Sequence, residues 1–387
     1  MEVYLDNAAT TQVDPAVIDV MVDMMASVYG NPSSLHRLGM QAEKRVKEAR
    51  RQVAKALGAT PEEFIFTSGG TEASNLAIQG ILEANEKVGK HIVSTEIEHP
   101  ATLTTLEAMV DRGWTLTLIK PDETGAIRLE DIQAAIQDDT ILVSMMHVNN
   151  ETGTIQPVEA LGKWLLKQKR KCFFHVDGIQ AVGKIPVKLK RLGADLYSIS
   201  AHKFHGPKGV GALYVKKGTR LQPRVYGGGQ ESSVRPGTEN VPGLVGMGLA
   251  VEKATRALQD RMNHMEAIKQ RMYRTIVAEL PNSRLNGTME DGKGASHILN
   301  ITFAGMRGEV LLHTLEGAGI SVSTGSACAS KNKSYSHVLT AMGKTEAQME
   351  GAIRFSFNGD LTEEQIDYAI ATIVESVRAL DAIIQGR

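Results

Sequence analysis

Residues 173–215 read FFHVDGIQAVGKIPVKLKRLGADLYSISAHKFHGPKGVGALYV. Three apolar runs of strand length lie inside this stretch: Phe173–Val176, Leu196–Ser200 and Val210–Val215. The middle run leads straight into Ala201-His202-Lys203, and the turn Gly206-Pro207-Lys208-Gly209 follows. A lysine just past a strand end, with a sharp turn behind it, suits a group that must point into a cleft and hold a carbonyl-bearing cofactor through a Schiff base. A lone lysine in such a place is otherwise an ordinary solvated cation, so its surroundings decide.

Working outward, Phe64–Thr67, Ile92–Ser94, Leu116–Ile119 and Ile141–Met146 also read as strands. Helical spacing separates them near 72–86, 100–112 and 157–169. An earlier helix carries Val17, Val20, Met21 and Met24 on one face, with Asp14 as N-cap and Pro15 at its first position. Alternating strands and helices predict an α/β fold, a mostly parallel sheet covered by helices on both faces. Sites in such sheets lie beyond the carboxyl ends of the strands. After about residue 250 the pattern changes. A long helical stretch to about Leu280 precedes strands at Ile298–Phe303, near Ile320–Ser323 and at Ala352–Phe357, with a helix at Glu309–Glu316. The last helix starts at Thr362, with Gln365 completing a capping box and Ile366, Ala369, Ile370, Ile373 and Val377 as its buried stripe. This region reads as a smaller α+β domain. The expected division is 14–250 for the large domain, and 1–13 with 251–387 for the small one.

Composition narrows the function. The 387 residues are 42% hydrophobic, enough for a large core, and 43 basic against 44 acidic residues give a net charge of −1. No basic stripe argues for nucleic acid or a membrane surface. The N-terminus lacks a signal-peptide pattern, and no apolar run reaches about 18 residues. Two cysteines, Cys172 and Cys328, make no disulfide framework, and a cytoplasmic setting is expected.

The strand ends carry the chemistry. Thr67-Ser68-Gly69-Gly70-Thr71-Glu72 follows a strand and opens a helix; its glycines, the Thr71 hydroxyl and the helix dipole make a phosphate cradle. It lacks the lysine of a nucleotide P-loop. As a bare motif it is also a glycine turn capping a helix. His99, in Glu98-His99-Pro100, can stack on a cofactor ring and move protons near neutral pH, although a single histidine is usually structural. Asn150 follows the next strand. Asp177 ends the strand before Lys203 and can pair with the protonated ring nitrogen of pyridoxal phosphate; Gln180 fits a hydrogen bond to the ring hydroxyl. His202-Lys203-Phe204-His205 is a poor metal site because no further ligand cluster accompanies it, and no metal is expected.

The order of phosphate loop, histidine, aspartate and lysine resembles fold-type I pyridoxal phosphate enzymes. The finer motifs resemble the NifS/IscS-type cysteine desulfurases of the class V aminotransferase group. They are YLDNAATT (4–11), GNPSSLH (30–36), TSGGTE (67–72), EHPA (98–101), HVNNETG (147–153), HVDGIQAVGK (175–184), SAHKFHGPKGVGALY (200–214), GGGQE (227–231), RPGTEN (235–240) and GSACAS (325–330). The resemblance spans nearly the whole chain. It implies pyridoxal 5'-phosphate on Lys203, with Gly70, Thr71, Ser200 and His202 at the phosphate. Thr238 would reach the phosphate of the neighbouring subunit in a homodimer. Arg354 would clamp the substrate carboxylate with help from Asn150 and Asn31, and His99 would handle the substrate thiol proton. An arginine in a strand can instead pair with a structural carboxylate.

Cys328 separates a desulfurase from its relatives. It lies in a run of small and polar residues at about 323–334, expected to form a mobile loop, and Lys331 and Lys333 nearby favour its thiolate. Cys172, beside Phe173 and Phe174, reads as packing. The implied reaction converts L-cysteine to L-alanine with sulfur held as a persulfide on Cys328. An acceptor protein for iron–sulfur cluster assembly or tRNA thiolation would then take it, and Cys328 could contact a cluster during transfer. The rival activities are selenocysteine lyase and class V aminotransferase, neither of which needs Cys328. The non-enzyme rival is a persulfide-docking partner with an inactive site, against which Lys203, Asp177 and His99 argue.

Overall fold

The computed structural model describes residues 1–168, 172–324 and 335–386. Its centre is a seven-stranded sheet in the spatial order Phe64–Thr67, Gly211–Val215, Leu196–Ser200, Phe173–Asp177, Thr140–Met146, His91–Thr95, Thr115–Ile119. Only Gly211–Val215 runs against its neighbours; the remaining strand pairs are parallel.

Side-chain alternation explains why both faces are covered. Ile92, Leu142, Leu213 and Ile65 pack into one apolar cluster with Leu76, Ile81, Leu106 and Met109 of the helices Gly70–Asn85 and Pro100–Val110. Val93, Val143, Tyr214 and Phe66, each one residue along, face the opposite cluster beneath the helices Pro15–Ala26, Arg37–Leu57 and Val241–Arg256. A period of two thus feeds two layers at once. All seven residues of Thr140–Met146 are buried. Polar side chains within the sheet are paired: His175 is bonded on one side to Ser144 Oγ at 2.8 Å and on the other to Ser198 Oγ at 2.9 Å.

The caps form as expected at two helices. Asp14 accepts the Ala16 N–H at 2.9 Å ahead of Pro15. Thr362 and Gln365 complete a capping box, and the stripe from Ile366 to Val377 is buried. Three expectations change. The long helix to Leu280 is two helices, Val241–Arg256 and Leu258–Glu279, broken at Ala257. The strand near Ile320–Ser323 is two short ones; Ile320–Ser321 pairs with Val3–Tyr4, and Ser323–Thr324 pairs with Ala352–Ser356. The third is an unforeseen 21-residue helix, Arg37–Leu57. Its buried stripe, Gly39, Ala42, Val46, Ala49, Val53 and Leu57, recurs every three to four residues, but small side chains and a heavily charged opposite face keep its average hydrophobicity low.

The C-terminal part builds an antiparallel sheet in the order Ser323–Thr324, Ala352–Ser356, Ile298–Phe303, Ser283–Leu285. It packs with Leu258–Glu279 and Glu363–Ile384 in a separate apolar cluster that also takes in Val3 and Leu5 from the N-terminus. Val338, Leu339 and Met342 cross over to the large sheet's cluster. No helix among the described residues is long and apolar enough to cross a membrane.

The small-residue stripe of Arg37–Leu57 has a partner in Gly248. A Cβ on Gly248 would stand 2.7 Å from Ala49 Cα and 2.9 Å from Ala49 Cβ. Gly248→Val therefore forces the two helices apart, at a cost of about 1–3 kcal/mol. Thermal unfolding should show a lowered midpoint; an unchanged midpoint would mean that this contact yields without cost.

Candidate functional site

Five parallel strands end at the same edge of the large sheet, at Thr67, Ser200, Asp177, Met146 and Thr95. The segments that follow these ends, and the strand Ala352–Ser356, enclose a cleft of about 970 Å³. Ten of the residues singled out in the sequence line it: Gly70, Thr71, His99, Asn150, Asp177, Gln180, Ser200, His202, Lys203 and Arg354.

Lys203 sits in the short turn Ala201–Lys203 directly after its strand. Its Nζ donates to the carbonyl oxygens of Ala8 at 2.5 Å and Ala9 at 2.7 Å. Burial, with Arg354 nearby, brings its pKa down to about 8. Asp177 is buried at the end of its strand and accepts one hydrogen bond from Ile179 N at 3.0 Å. Burial pushes its carboxyl up to about 6, against the pull of that hydrogen bond and of Lys203. These opposite shifts have one cause, the cost of charge in a dry site.

His99 is the N-cap of Pro100–Val110, and its Nδ1 accepts the Ala101 N–H at 3.0 Å. Burial, followed by the charges of Lys203 and His337, holds its pKa down to about 4. The imidazole is therefore neutral at physiological pH, with its proton on Nε2. Gln180 Nε2 donates to Ala8 O at 2.9 Å. His202 Nδ1 meets Thr10 Oγ1 at 3.1 Å, and burial brings this ring to about 4 as well.

The helix Gly70–Asn85 opens on the cleft without a side-chain cap. A Cβ at Gly70 would lie 2.2 Å from Ile179 Cδ1, so glycine here lets the helix end sit against the Asp177 turn without displacing the Ile179 side chain. Glu72 is tied to Arg235 at 2.9 Å, which anchors the RPGTEN segment beside the loop.

Arg354 is nine-tenths buried and pairs with Asp6 at 2.8 Å. Its second terminal nitrogen donates to the Asn150 carbonyl at 2.9 Å, while its buried Nε has no partner. Asn31 and Thr238 do not line the cleft. The Asn31 side chain accepts the Ser33 N–H at 2.9 Å, and Thr238 is exposed. Cys328 lies outside the described residues. Cys172 is free, and burial pushes its thiol up to about 12. No cluster of three or more metal-ligating side chains occurs among the described residues.

Sequence reasoning missed several groups at the cleft. Asp6 lies in the YLDNAATT run, where nothing local reveals its pairing with Arg354. Glu98 is wholly buried; one carboxyl oxygen accepts from Thr95 Oγ1 at 2.6 Å and Met146 N at 2.9 Å, the other has no partner, and burial pushes it up to about 8. Ser336 donates to the buried Glu151 at 2.5 Å, and His337 Nε2 bonds the Glu98 carbonyl at 2.8 Å. These two residues fix the chain where it re-enters the described structure.

Comparison with known proteins gives a consistent picture. The sequence model of the aminotransferase class-V family matches residues 3–369. A protein from Clostridium botulinum named cysteine desulfurase IscS is 42% identical over 377 residues, covering 97% of this chain and 94% of that protein. A solved NifS-like protein superposes with a TM-score of 0.92 at 39% identity, covering 98% of this chain and 100% of that one. A structure described as SspA in complex with cysteine gives 0.81 at 33% identity, covering 92% and 99%.

Asp177 offers a direct test of the cleft's electrostatics. Its pKa rises from 3.8 to about 6 on folding. The folded state thus favours the protonated carboxyl, and that contribution is full below about pH 4 and lost as pH rises through 6. In cofactor-free protein Asp177→Asn removes the loss. It should be more stable than the parent at about pH 8, by on the order of 2–3 kcal/mol, with the gain shrinking toward about pH 4. Denaturation at the two pH values checks this; a variant no more stable at the higher pH would show that Asp177 is not strained by burial.

Proposed function

This chain belongs to the aminotransferase class-V family, and on that premise we propose that it is a cysteine desulfurase, converting L-cysteine to L-alanine and passing on the sulfur. The observation that carries the reading is the convergence of Lys203, Asp177, His99 and Arg354 on one cleft, in a chain that resembles desulfurases over nearly its full length.

The family works with pyridoxal 5'-phosphate, and the residues present fit it. Asp177 is a buried carboxylate with one backbone donor, suited to a protonated ring nitrogen. The uncapped helix end at Gly70 and Thr71, flanked by Ser200 and His202, suits a phosphate. Lys203 would hold the cofactor covalently, Gln180 would meet the ring hydroxyl, and His99 would stack on the ring. When bound, the cofactor supplies an electron sink that makes the substrate's Cα acidic.

The protein's own groups do the rest. Lys203, with a pKa near 8, takes the proton from the cysteine Cα once it is free. Arg354 and Asn150 hold the substrate carboxylate. His99 would handle the substrate thiol proton; with Nε2 protonated, the accepting nitrogen is Nδ1, which must first release the Ala101 N–H. Cys328 thiolate attacks the substrate sulfur. The carbon–sulfur bond breaks with its electrons left on carbon, and protonation there yields alanine. The balance is one cysteine and one thiol in, one alanine and one persulfide out. Iron–sulfur scaffolds and tRNA-thiolating proteins are the acceptor classes.

Three further assignments go with this reading: a cytoplasmic setting, a homodimer in which Thr238 reaches the partner's cofactor phosphate, and a division into residues 14–250 and 1–13 with 251–387. The exposure of Thr238 supports the second. The separate apolar cluster that joins Val3 and Leu5 to residues between Met265 and Val377 supports the third in outline, while Val251, Ala254, Val338, Leu339 and Met342 pack with the large sheet.

The two steps can be separated. Cys328→Ala should still bind cysteine and change its visible spectrum, yet release almost no alanine. Cys172→Ala should turn over nearly as the parent does, because its thiol stays protonated. Normal alanine output from Cys328→Ala without added thiol would instead make the chain a lyase that needs no protein acceptor.

A further inference from the structure

The segment Asp6–Thr11 joins the two halves of the cleft. At one end it follows the small antiparallel sheet. Asn7 N and Nδ2 donate to the Ser356 carbonyl at 3.3 and 3.0 Å, and Ala8 N donates to Ser356 Oγ at 2.8 Å. At the other end Ala8 and Ala9 hold Lys203, and Thr11 N and Oγ1 donate to the His202 carbonyl at 2.9 and 2.8 Å. Asp6 lines the cleft between these anchors, with its carboxylate on Arg354.

Arg354 has three nitrogens with which to meet a ligand. One terminal nitrogen is committed to Asp6 and the other to the Asn150 carbonyl, both on firmly held backbone. Nε is buried without a partner, and each terminal nitrogen keeps a second N–H. A guanidinium relieved of Asp6 would keep its charge but lose the contact that fixes its orientation, and bidentate recognition depends on orientation. We propose that Asp6 is a positioning residue for the substrate carboxylate: its ion pair, with the Asn150 carbonyl, fixes the orientation in which Arg354 presents its remaining N–H groups to the ligand. The inference rests on the reading of Arg354 as the carboxylate clamp.

The test uses the cofactor-loaded enzyme and two ligands, L-cysteine and 2-aminoethanethiol, which keeps the amine and thiol but lacks the carboxylate. Asp6→Asn should raise KM for cysteine about tenfold, equivalent to about 1.4 kcal/mol, with kcat within about twofold. The half-saturation of the visible change by 2-aminoethanethiol should not move. Asp6→Glu retains the charge and should lie nearer the parent than Asp6→Asn. Equal losses in the two variants, equal weakening of both ligands, or an unchanged or lower KM in Asp6→Asn would overturn the proposal. Arg354→Gln separates the layers. If it leaves KM for cysteine unchanged, the clamp itself is wrong. If it raises KM while Asp6→Asn does not, the role of Asp6 alone fails.

Discussion

The grip of Ala8 and Ala9 on the Lys203 ammonium is the contact on which the site depends. A lysine at the end of a buried strand needs acceptors, and the sheet itself has none to spare because its carbonyls are in ladders. The N-terminal segment supplies them from nearly 200 residues away. The same segment reaches Ser356 and Arg354, so the position of the lysine and that of the arginine are set by one piece of chain. The cleft is thereby built at the junction of two sheets rather than on either alone.

Burial then tunes the charges. It drives Asp177 up to about 6 and Lys203 down to about 8, while His99 falls to about 4 and Glu98 rises to about 8. At neutral pH the first two are still ionised, each lying about one pH unit from its titration. The other two are uncharged. A site in which a base and its conjugate acid lie so close in energy moves protons at little cost, which is what general acid–base chemistry requires. The same burial makes Cys172 inert and distinguishes it from a thiol that must ionise.

Much of this was legible in the sequence. The seven strands of the large sheet could be read from their apolar runs. Gly70, Thr71, His99, Asn150, Asp177, Gln180 and Lys203 could be read because each lies at or just past a strand end that parallel topology gathers at one edge; Ser200, His202 and Arg354 were placed only by the family resemblance. Asp14, Pro15, Thr362 and Gln365 announced their helices through local capping chemistry. What escaped had a weak local signature or none. The helix Arg37–Leu57 did carry a helical period, Ala42, Val46, Ala49, Val53 and Leu57, but its small residues and charged opposite face hide it from a search for apolar runs. Asp6 and Arg354 are 348 residues apart, and only the fold makes them a pair. Glu98 drew no role of its own beside His99, and its burial is a tertiary fact. Ser336 and His337 lie beyond the polar run at about 323–334 and carried no assignment, although they bond Glu151 and the Glu98 carbonyl.

The central claim is that cysteine gives up its sulfur to a thiol of this chain. Mass spectrometry of the whole cofactor-loaded protein, after brief incubation with L-cysteine and without reductant, tests it most directly. The account predicts a mass gain of one sulfur atom per chain, removed by a reducing thiol and mapped by digestion to the peptide bearing Cys328. Alanine formed with no sulfur on the protein, or sulfur mapped to Cys172 instead, would contradict it.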